Sequence, residues 1–298
     1  MADTTEISWA DSTFNPVIGC QRVSAACDNC YAETLAERYG WTTWGPHGER
    51  KRTSPANWRK PVLWQRHAAS FQKANGHRQR VFCASLADVF DNRWPEGARE
   101  DLWALVRATP DLDWLILTKR PENYGRFLPL DWGAGYPNVW LGVTTEDQQC
   151  FDRRWSILAE APAAIRFISY EPAVGPVTLK GAKTAPDWVI FGGESGPKAR
   201  TTPLAGQWAR AMRDECEDLG AAFFLKQWGA YHSNPLVCEQ GVSPRVAALK
   251  DPVENGKGGG LLDGDLWRRF PATQNQAHVP HGRPTRADRA PLTLNLGV

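Results

Sequence analysis

Asn138-Val139-Trp140-Leu141-Gly142-Val143-Thr144-Thr145 is followed by a helical stretch near Gln148 to Ala159 and then by Ile165-Arg166-Phe167-Ile168-Ser169-Tyr170-Glu171-Pro172. Both flanking runs have apolar cores without polar alternation, the pattern of strands buried on two faces, and a helix between two such strands is the parallel crossover unit. The rhythm continues both ways. Upstream stand Arg80-Val81-Phe82-Cys83-Ala84-Ser85, a helix from Gly97 to Ala108, and Asp113-Trp114-Leu115-Ile116-Leu117-Thr118-Lys119-Arg120. Downstream stand Asp187-Trp188-Val189-Ile190-Phe191-Gly192-Gly193-Glu194, a helix from Pro203 to Leu219, and Ala222-Phe223-Phe224-Leu225-Lys226-Gln227. Six to seven such units predict an α/β fold, a complete or partial (β/α) barrel of parallel strands with outer helices.

Polar residues gather at one end of these strands. Ser85 and Asp88, Thr118-Lys119-Arg120, Thr144-Thr145-Glu146, Glu171 and Glu194 all fall at or just past the C-terminal ends. That is the face of a barrel that carries chemistry. A lone strand-end glutamate serves as often as a helix cap or an ion-pair partner. The recurrence at the same end carries the argument, because chance polar residues would fall at both.

The segment Asn15-Pro16-Val17-Ile18-Gly19-Cys20-Gln21-Arg22-Val23-Ser24-Ala25-Ala26-Cys27-Asp28-Asn29-Cys30-Tyr31 sets three thiols at C-x6-C-x2-C spacing, with no histidine before His47. Three thiols are one short of the four ligands of a closed structural zinc site. A four-iron cluster on three thiolates leaves one iron open to a small molecule. Zinc completed by His47 or His67, and reduced thiols that ligate nothing, fit the same spacing. After Cys30, Tyr31, Leu35, Ala36 and Tyr39 recur at helical spacing and stop at Gly40, so the cysteine loop runs into a helix whose N-terminal amides favour an anionic group.

Composition bounds the rest. With 298 residues and 42% hydrophobic content the chain can bury a sizeable core. Seven cysteines are an odd number, no secretory pattern follows Met1, and no apolar run reaches the roughly 20 residues of a membrane span. Reduced thiols, a cytoplasmic location and no membrane association are therefore expected. A net charge of +2 provides no global basic field. Residues 41 to 66 nevertheless interleave Trp41, Trp44, Trp58 and Trp64 with Arg50, Lys51, Arg52, Arg59, Lys60 and Arg66, which reads first as a solvated insertion anchored to the barrel by its tryptophans and second as a surface for phosphates and stacked bases. Residues 1 to 229 read as the barrel with an insertion at 41 to 78, and 230 to 298 as a loop-rich extension. Within it, Gly256-Lys257-Gly258-Gly259-Gly260 reads as a flexible loop. A short segment near 262 to 271, with Leu266, Trp267 and Phe270 on one face, reads as a cap. The last twenty or so residues, with Arg283, Arg286 and Arg289, read as a poorly ordered tail.

Gly19-Cys20 through Cys27-Asp28-Asn29-Cys30-Tyr31-Ala32 resembles the cluster loop of radical S-adenosylmethionine enzymes, in the spore photoproduct lyase branch. Leu117-Thr118-Lys119-Arg120, Trp140-Leu141-Gly142-Val143, Ser169-Tyr170-Glu171-Pro172, Gly192-Gly193-Glu194-Ser195-Gly196 and Phe224-Leu225-Lys226-Gln227-Trp228-Gly229 resemble a group of phage and prophage proteins of that branch. The resemblance runs from about Ile7 to Trp228 and resumes at Leu262-Asp263-Gly264 to Pro271. It departs from the common C-x3-C-x2-C loop by three extra residues, which a loop can absorb.

The resemblance implies a partial barrel of the radical S-adenosylmethionine type, a [4Fe-4S] cluster on Cys20, Cys27 and Cys30, bound S-adenosyl-L-methionine, and a 5′-deoxyadenosyl radical as the reactive product. It implies a reducing partner of the flavodoxin or ferredoxin type and a nucleic acid base in phage or host DNA as substrate, a damaged pyrimidine or a modified phage base. Tyr31 then takes the place of an aromatic beside adenine, and Lys119 that of a cation near the cofactor carboxylate. Thr144, with Thr145 as second choice, is a hydroxyl near the same ligand. Gly193 permits close backbone approach and Glu194 accepts from a ribose or an amine. Cys83 matches a hydrogen-atom donor, though a strand-end cysteine is also simply a small buried hydrophobe. Cys150, Cys216 and Cys238 have no such context. Two readings of other classes stand beside this one: a zinc-stabilised nucleic-acid-binding module, and a phage structural or host-interaction protein on a degenerate barrel.

Overall fold

The computed structural model describes residues 5–196 and 198–273. Seven parallel strands form one sheet: β1 (Ser12–Phe14), β2 (Gln79–Cys83), β3 (Leu112–Thr118), β4 (Val139–Thr144), β5 (Ile165–Tyr170), β6 (Trp188–Gly192) and β7 (Ala222–Gln227). Their spatial order is their chain order, and the sheet curls into a half-barrel with helices outside. The expected partial (β/α) barrel is what the chain builds. Each crossover is long enough to return on the helix side, as parallel pairing requires.

Four helices matter most: α1 (Tyr31–Arg38), α2 (Ala98–Ala108), α3 (Gln148–Glu160) and α4 (Ala205–Leu219). Helix α3 starts where it does because the Asp147 carboxylate accepts from the Cys150 amide at 2.8 Å, an N-cap. Gly220, at φ +72°, ends α4 in the left-handed conformation that glycine adopts without strain.

Strand alternation divides the core in two. Outward residues such as Cys83, Ile116, Val143 and Phe191 pack on Leu102, Trp155 and Met212 of the helices. Inward residues Trp9, Phe82, Trp140, Phe167, Trp188 and Phe224 form an aromatic plug. Each fully buried tryptophan removes roughly 200 Å² from water, on the order of 5 kcal/mol before entropic costs. Gly142 is bare because a Cβ there would lie 2.3 Å from the Phe167 ring. The plug fills the lower barrel and leaves the C-terminal mouth open.

Residues 41 to 78 are anchored. Trp58 meets Phe14 edge-on with ring centroids 5.5 Å apart, Trp64 is buried in the outer core, and Arg50 forms a fully buried ion pair with Asp91 at 2.8 Å. Of the expected basic and aromatic face, Trp58, Trp64 and Arg50 are therefore structural, while Lys51, Arg59 and Arg66 remain exposed.

The extension covers the last strand. Leu261–Leu262 and Asp265–Leu266 form a hairpin, after which Arg268 bridges Phe224 in antiparallel sense and Arg269 donates to the Phe223 carbonyl at 3.1 Å. Phe270 lies 5.3 Å from Trp188 and from Phe224, under the plug, with the Arg80 guanidinium 3.6 Å over its ring. Leu266, expected on the docking face, is half exposed instead. The glycine run expected to be a flexible loop is packed at its end: Gly258, Gly259 and Gly260 are buried, and a Cβ on Gly259 would lie 2.2 Å from Asp251. The buried Asp251 carboxylate accepts from the Gly260 and Leu261 amides, both at 3.0 Å, and these bonds order the turn. The tail expected at Arg283, Arg286 and Arg289 lies outside the described residues.

Candidate functional site

Above the plug the strand ends open into a cavity of about 710 Å³. Cys20, Cys27 and Cys30 line it, as do Tyr31, Lys119, Thr144, Gly193 and Glu194. Eight of the nine residues singled out from the sequence thus share one space. Cys83 does not. It is the last residue of β2 and points outward, fully buried against the helix side, and burial pushes its thiol pKa well up. The expected hydrogen-atom donor therefore faces away from the cavity, because period-two alternation sends Phe82 inward and Cys83 outward.

The cysteine loop is fastened at both ends. Gly19, at φ +116°, donates its amide to Leu86 O at 3.0 Å, and a Cβ there would strike Glu49 O at 2.5 Å. Next to it, Arg120 at the end of β3 donates to Gln21 O at 3.0 Å, to Asp88 Oδ2 at 2.8 Å, and to Cys20 Sγ at 3.5 Å. Burial first, then Asp88, raises the Cys20 thiol to about 11, against the opposing pull of Arg120.

At the far end, Asn29 Nδ2 donates to Glu194 Oε2 at 3.0 Å, and Arg200 bonds both Glu194 oxygens at 2.6 and 2.9 Å. The same guanidinium reaches Ala25 O at 2.9 Å. Burial would raise the Glu194 carboxyl, but the bonds from Arg200 and Asn29 outweigh it and hold it low. Glu194 thus lines the cavity with both carboxylate oxygens already accepting from residues that fasten the loop.

Other positions fall as follows. Tyr31 opens α1 and half its surface is exposed, while its hydroxyl donates to Ser85 O at 2.8 Å. Its enclosed hydroxyl is pushed up in pKa by burial. Lys119 has no ion pair among the described residues and lines the cavity from the end of β3. The Thr144 hydroxyl is buried, lines the cavity and has no hydrogen-bond partner among the described residues, while Thr145 is buried off the cavity. Gly193 is demanded by its neighbour strand, since a Cβ would lie 2.0 Å from Trp228 O. Across the cavity Lys226 and Glu171 form an inward-facing ion pair, for which the bare Gly192 leaves room.

Sequence reasoning missed Arg200 and Asn29 and gave no task to Arg120 or Asp88. The last two stood in quoted strand-end motifs, whereas Arg200 lies in a segment with no apolar periodicity to mark it.

The donor set is apt in kind. Three soft thiols, the usual ligands of iron-sulfur clusters, line a cavity that also presents a lysine without an ion pair and a hydroxyl without a hydrogen-bond partner among the described residues. Among the described residues no group of three or more His, Cys, Asp or Glu side chains is gathered into a metal-holding set, so a cluster would have to draw the loop together. His47 and His67 are exposed and do not line the cavity, which leaves zinc without the fourth donor considered above.

Fold and site together define a parallel half-barrel whose mouth carries a cysteine-lined, ligand-sized cavity. The chain belongs to the family described as "Protein of unknown function (DUF5131)", whose model matches residues 4–271. No curated protein and no solved structure matches it. Among the described residues no helix is long and apolar enough to cross a membrane.

Proposed function

We propose that this protein is a radical S-adenosylmethionine enzyme that acts on a nucleic acid base. One observation carries the reading: three cysteines and the polar ends of the parallel strands β2 to β7 open into the same cavity at the barrel's C-terminal mouth. Cys20, Cys27 and Cys30 would hold a [4Fe-4S] cluster, which, reduced, supplies cleavage of the bound sulfonium and release of a 5′-deoxyadenosyl radical.

The chain's own residues do the rest. Lys119 presents an ammonium to the cavity, the kind of group that would make a charge-assisted contact with a cofactor carboxylate. Thr144 offers a hydroxyl with no hydrogen-bond partner among the described residues. Tyr31 presents a ring to the cavity, held in place by its hydroxyl bond to Ser85. The aromatic plug closes the floor and excludes water from below. Exposed Lys51, Arg59 and Arg66, together with the stacked pair Tyr39 and Trp41 (centroids 5.1 Å apart), support a nucleic acid approaching from the insertion side. A reductant of the flavodoxin or ferredoxin type and a cytoplasmic setting belong to the same reading.

The test is anaerobic purification with iron and sulfide analysis, then dithionite reduction and assay for 5′-deoxyadenosine on adding S-adenosylmethionine. Near four irons per chain with deoxyadenosine formed, both lost in Cys27→Ala, is the expected result. A colourless chain that remains inert after reconstitution overturns it.

A further inference from the structure

We propose that Arg120 and Asp88 form a charge relay to Cys20 that positions this thiolate and sets the reduction potential of what it ligates. The proposal rests on the cluster reading above. Arg120 is a positioning residue, not a catalytic one.

Arg120 is the only residue among those described whose guanidinium is shared between a carboxylate and a candidate ligand sulfur. Its Nη1 meets Asp88 Oδ2 at 2.8 Å and Cys20 Sγ at 3.5 Å, and its Nη2 holds Gln21 O, the next carbonyl along, at 3.0 Å. The pair is nearly dry, with side-chain exposures of 5% and 8%. Asp88 is itself held rigidly: Thr118 Oγ1 donates to Oδ1 at 2.7 Å and the Lys119 amide to Oδ2 at 3.0 Å. The guanidinium cannot swing away without leaving the buried Asp88 carboxylate short of its counter-charge. No comparable cation is bonded to the sulfur of Cys27 or Cys30 among the described residues. One ligand of the three is thus singled out.

The electrostatic consequence has a sign. Reduction adds an electron beside Cys20, and a donor and positive charge at the sulfur favour the reduced form, most strongly where water is excluded. Asp88 works against this through the same contact. Removing the cation must lower the potential, and removing the anion must raise it.

The test uses the full chain reconstituted anaerobically with iron and sulfide and titrated with dithionite, the reduced signal being followed by electron paramagnetic resonance. Arg120→Gln is expected to shift the midpoint to more negative potential and Asp88→Asn to more positive, with Arg120→Lys moving less than Arg120→Gln. The double variant Arg120→Gln/Asp88→Asn removes both charges together, covers the case in which Arg120→Gln alone fails to fold, and is expected to fall between the singles. A merely structural pair would lower iron loading in both singles and leave the midpoint of the loaded fraction unmoved. That result, or shifts of the same sign, overturns the proposal. Failure of the underlying function reads differently: the wild-type chain itself then takes up no iron, and both fall together.

Discussion

Asn29 Nδ2 donates to Glu194 Oε2 at 3.0 Å across 165 residues of chain, and through that bond the cysteine loop is tied to the end of β6. Arg200 completes the tie from a third position, holding both Glu194 oxygens and the Ala25 carbonyl.

Glu194→Gln is expected to cost about 1–3 kcal/mol at pH 7, the range for a buried charged hydrogen bond downgraded to a neutral one. Glu194 is depressed in the fold relative to its unfolded value of about 4.3. Its stabilisation is therefore complete above that pH and is lost as pH falls through the lower folded value. Urea unfolding of both chains across this range must show the difference shrinking in acid. A difference that stays constant with pH would remove the carboxylate's charge from the account.

Thr144→Val is expected to leave unfolding stability unchanged or slightly improved, because the hydroxyl it removes is buried without a partner. The same change should weaken S-adenosylmethionine binding by about 0.5–1.5 kcal/mol, one net hydrogen bond. Equilibrium binding and denaturation, measured on the same preparation, separate the two effects. A stability loss with unaltered binding would make Thr144 a core residue.

Cys83 is expected to resist maleimide in the folded chain and to react after unfolding, while the cavity thiols react first, as mass spectrometry of labelled peptides would show. Cys83→Ala should cost about 1 kcal/mol through the small cavity it leaves and should not reduce cofactor cleavage. Rapid labelling of Cys83 in the native state would contradict the outward placement.

Gly142→Ala is expected to destabilise the fold by about 1–3 kcal/mol, the cost of overpacking, since the new methyl meets the Phe167 ring. Phe167→Leu in the same chain should recover part of that loss. Unfolding midpoints of the two singles and the double settle it, and strict additivity would refute the contact.

Strands are the most legible part of such a chain. Trp114-Leu115-Ile116-Leu117 and Val189-Ile190-Phe191 announce themselves because a strand buried on two faces needs continuous apolar residues, and the observed bounds fall within two residues of the quoted runs. Residues at the strand ends were legible for the same reason, since topology alone sends them to one mouth. The cost of Cys83 was different. Its place in Cys83-Ala84-Ser85 looked functional, yet which face it takes depends on strand parity in the assembled sheet. Glu194 sat at the right strand end, but its partner Arg200 lies on a loop whose path no periodicity encodes. The packed glycine run at 258 to 260 misled for a like reason: composition reports conformational freedom and is silent about Asp251, which removes it.

By itself the sequence determined the parallel α/β architecture, the cysteine spacing and the end of the sheet where the polar residues gather, because hydrophobic period and short-range residue spacing are local properties of the chain. Only the tertiary structure decided that Arg120 and Arg200 grip the two ends of the cysteine loop, that Glu194 takes part in one of those grips, and that Cys83 is turned away. Each of these depends on a buried polar group finding its partner from a distant segment, and the cost of leaving such a group unpaired is felt only when the sheet has closed around it.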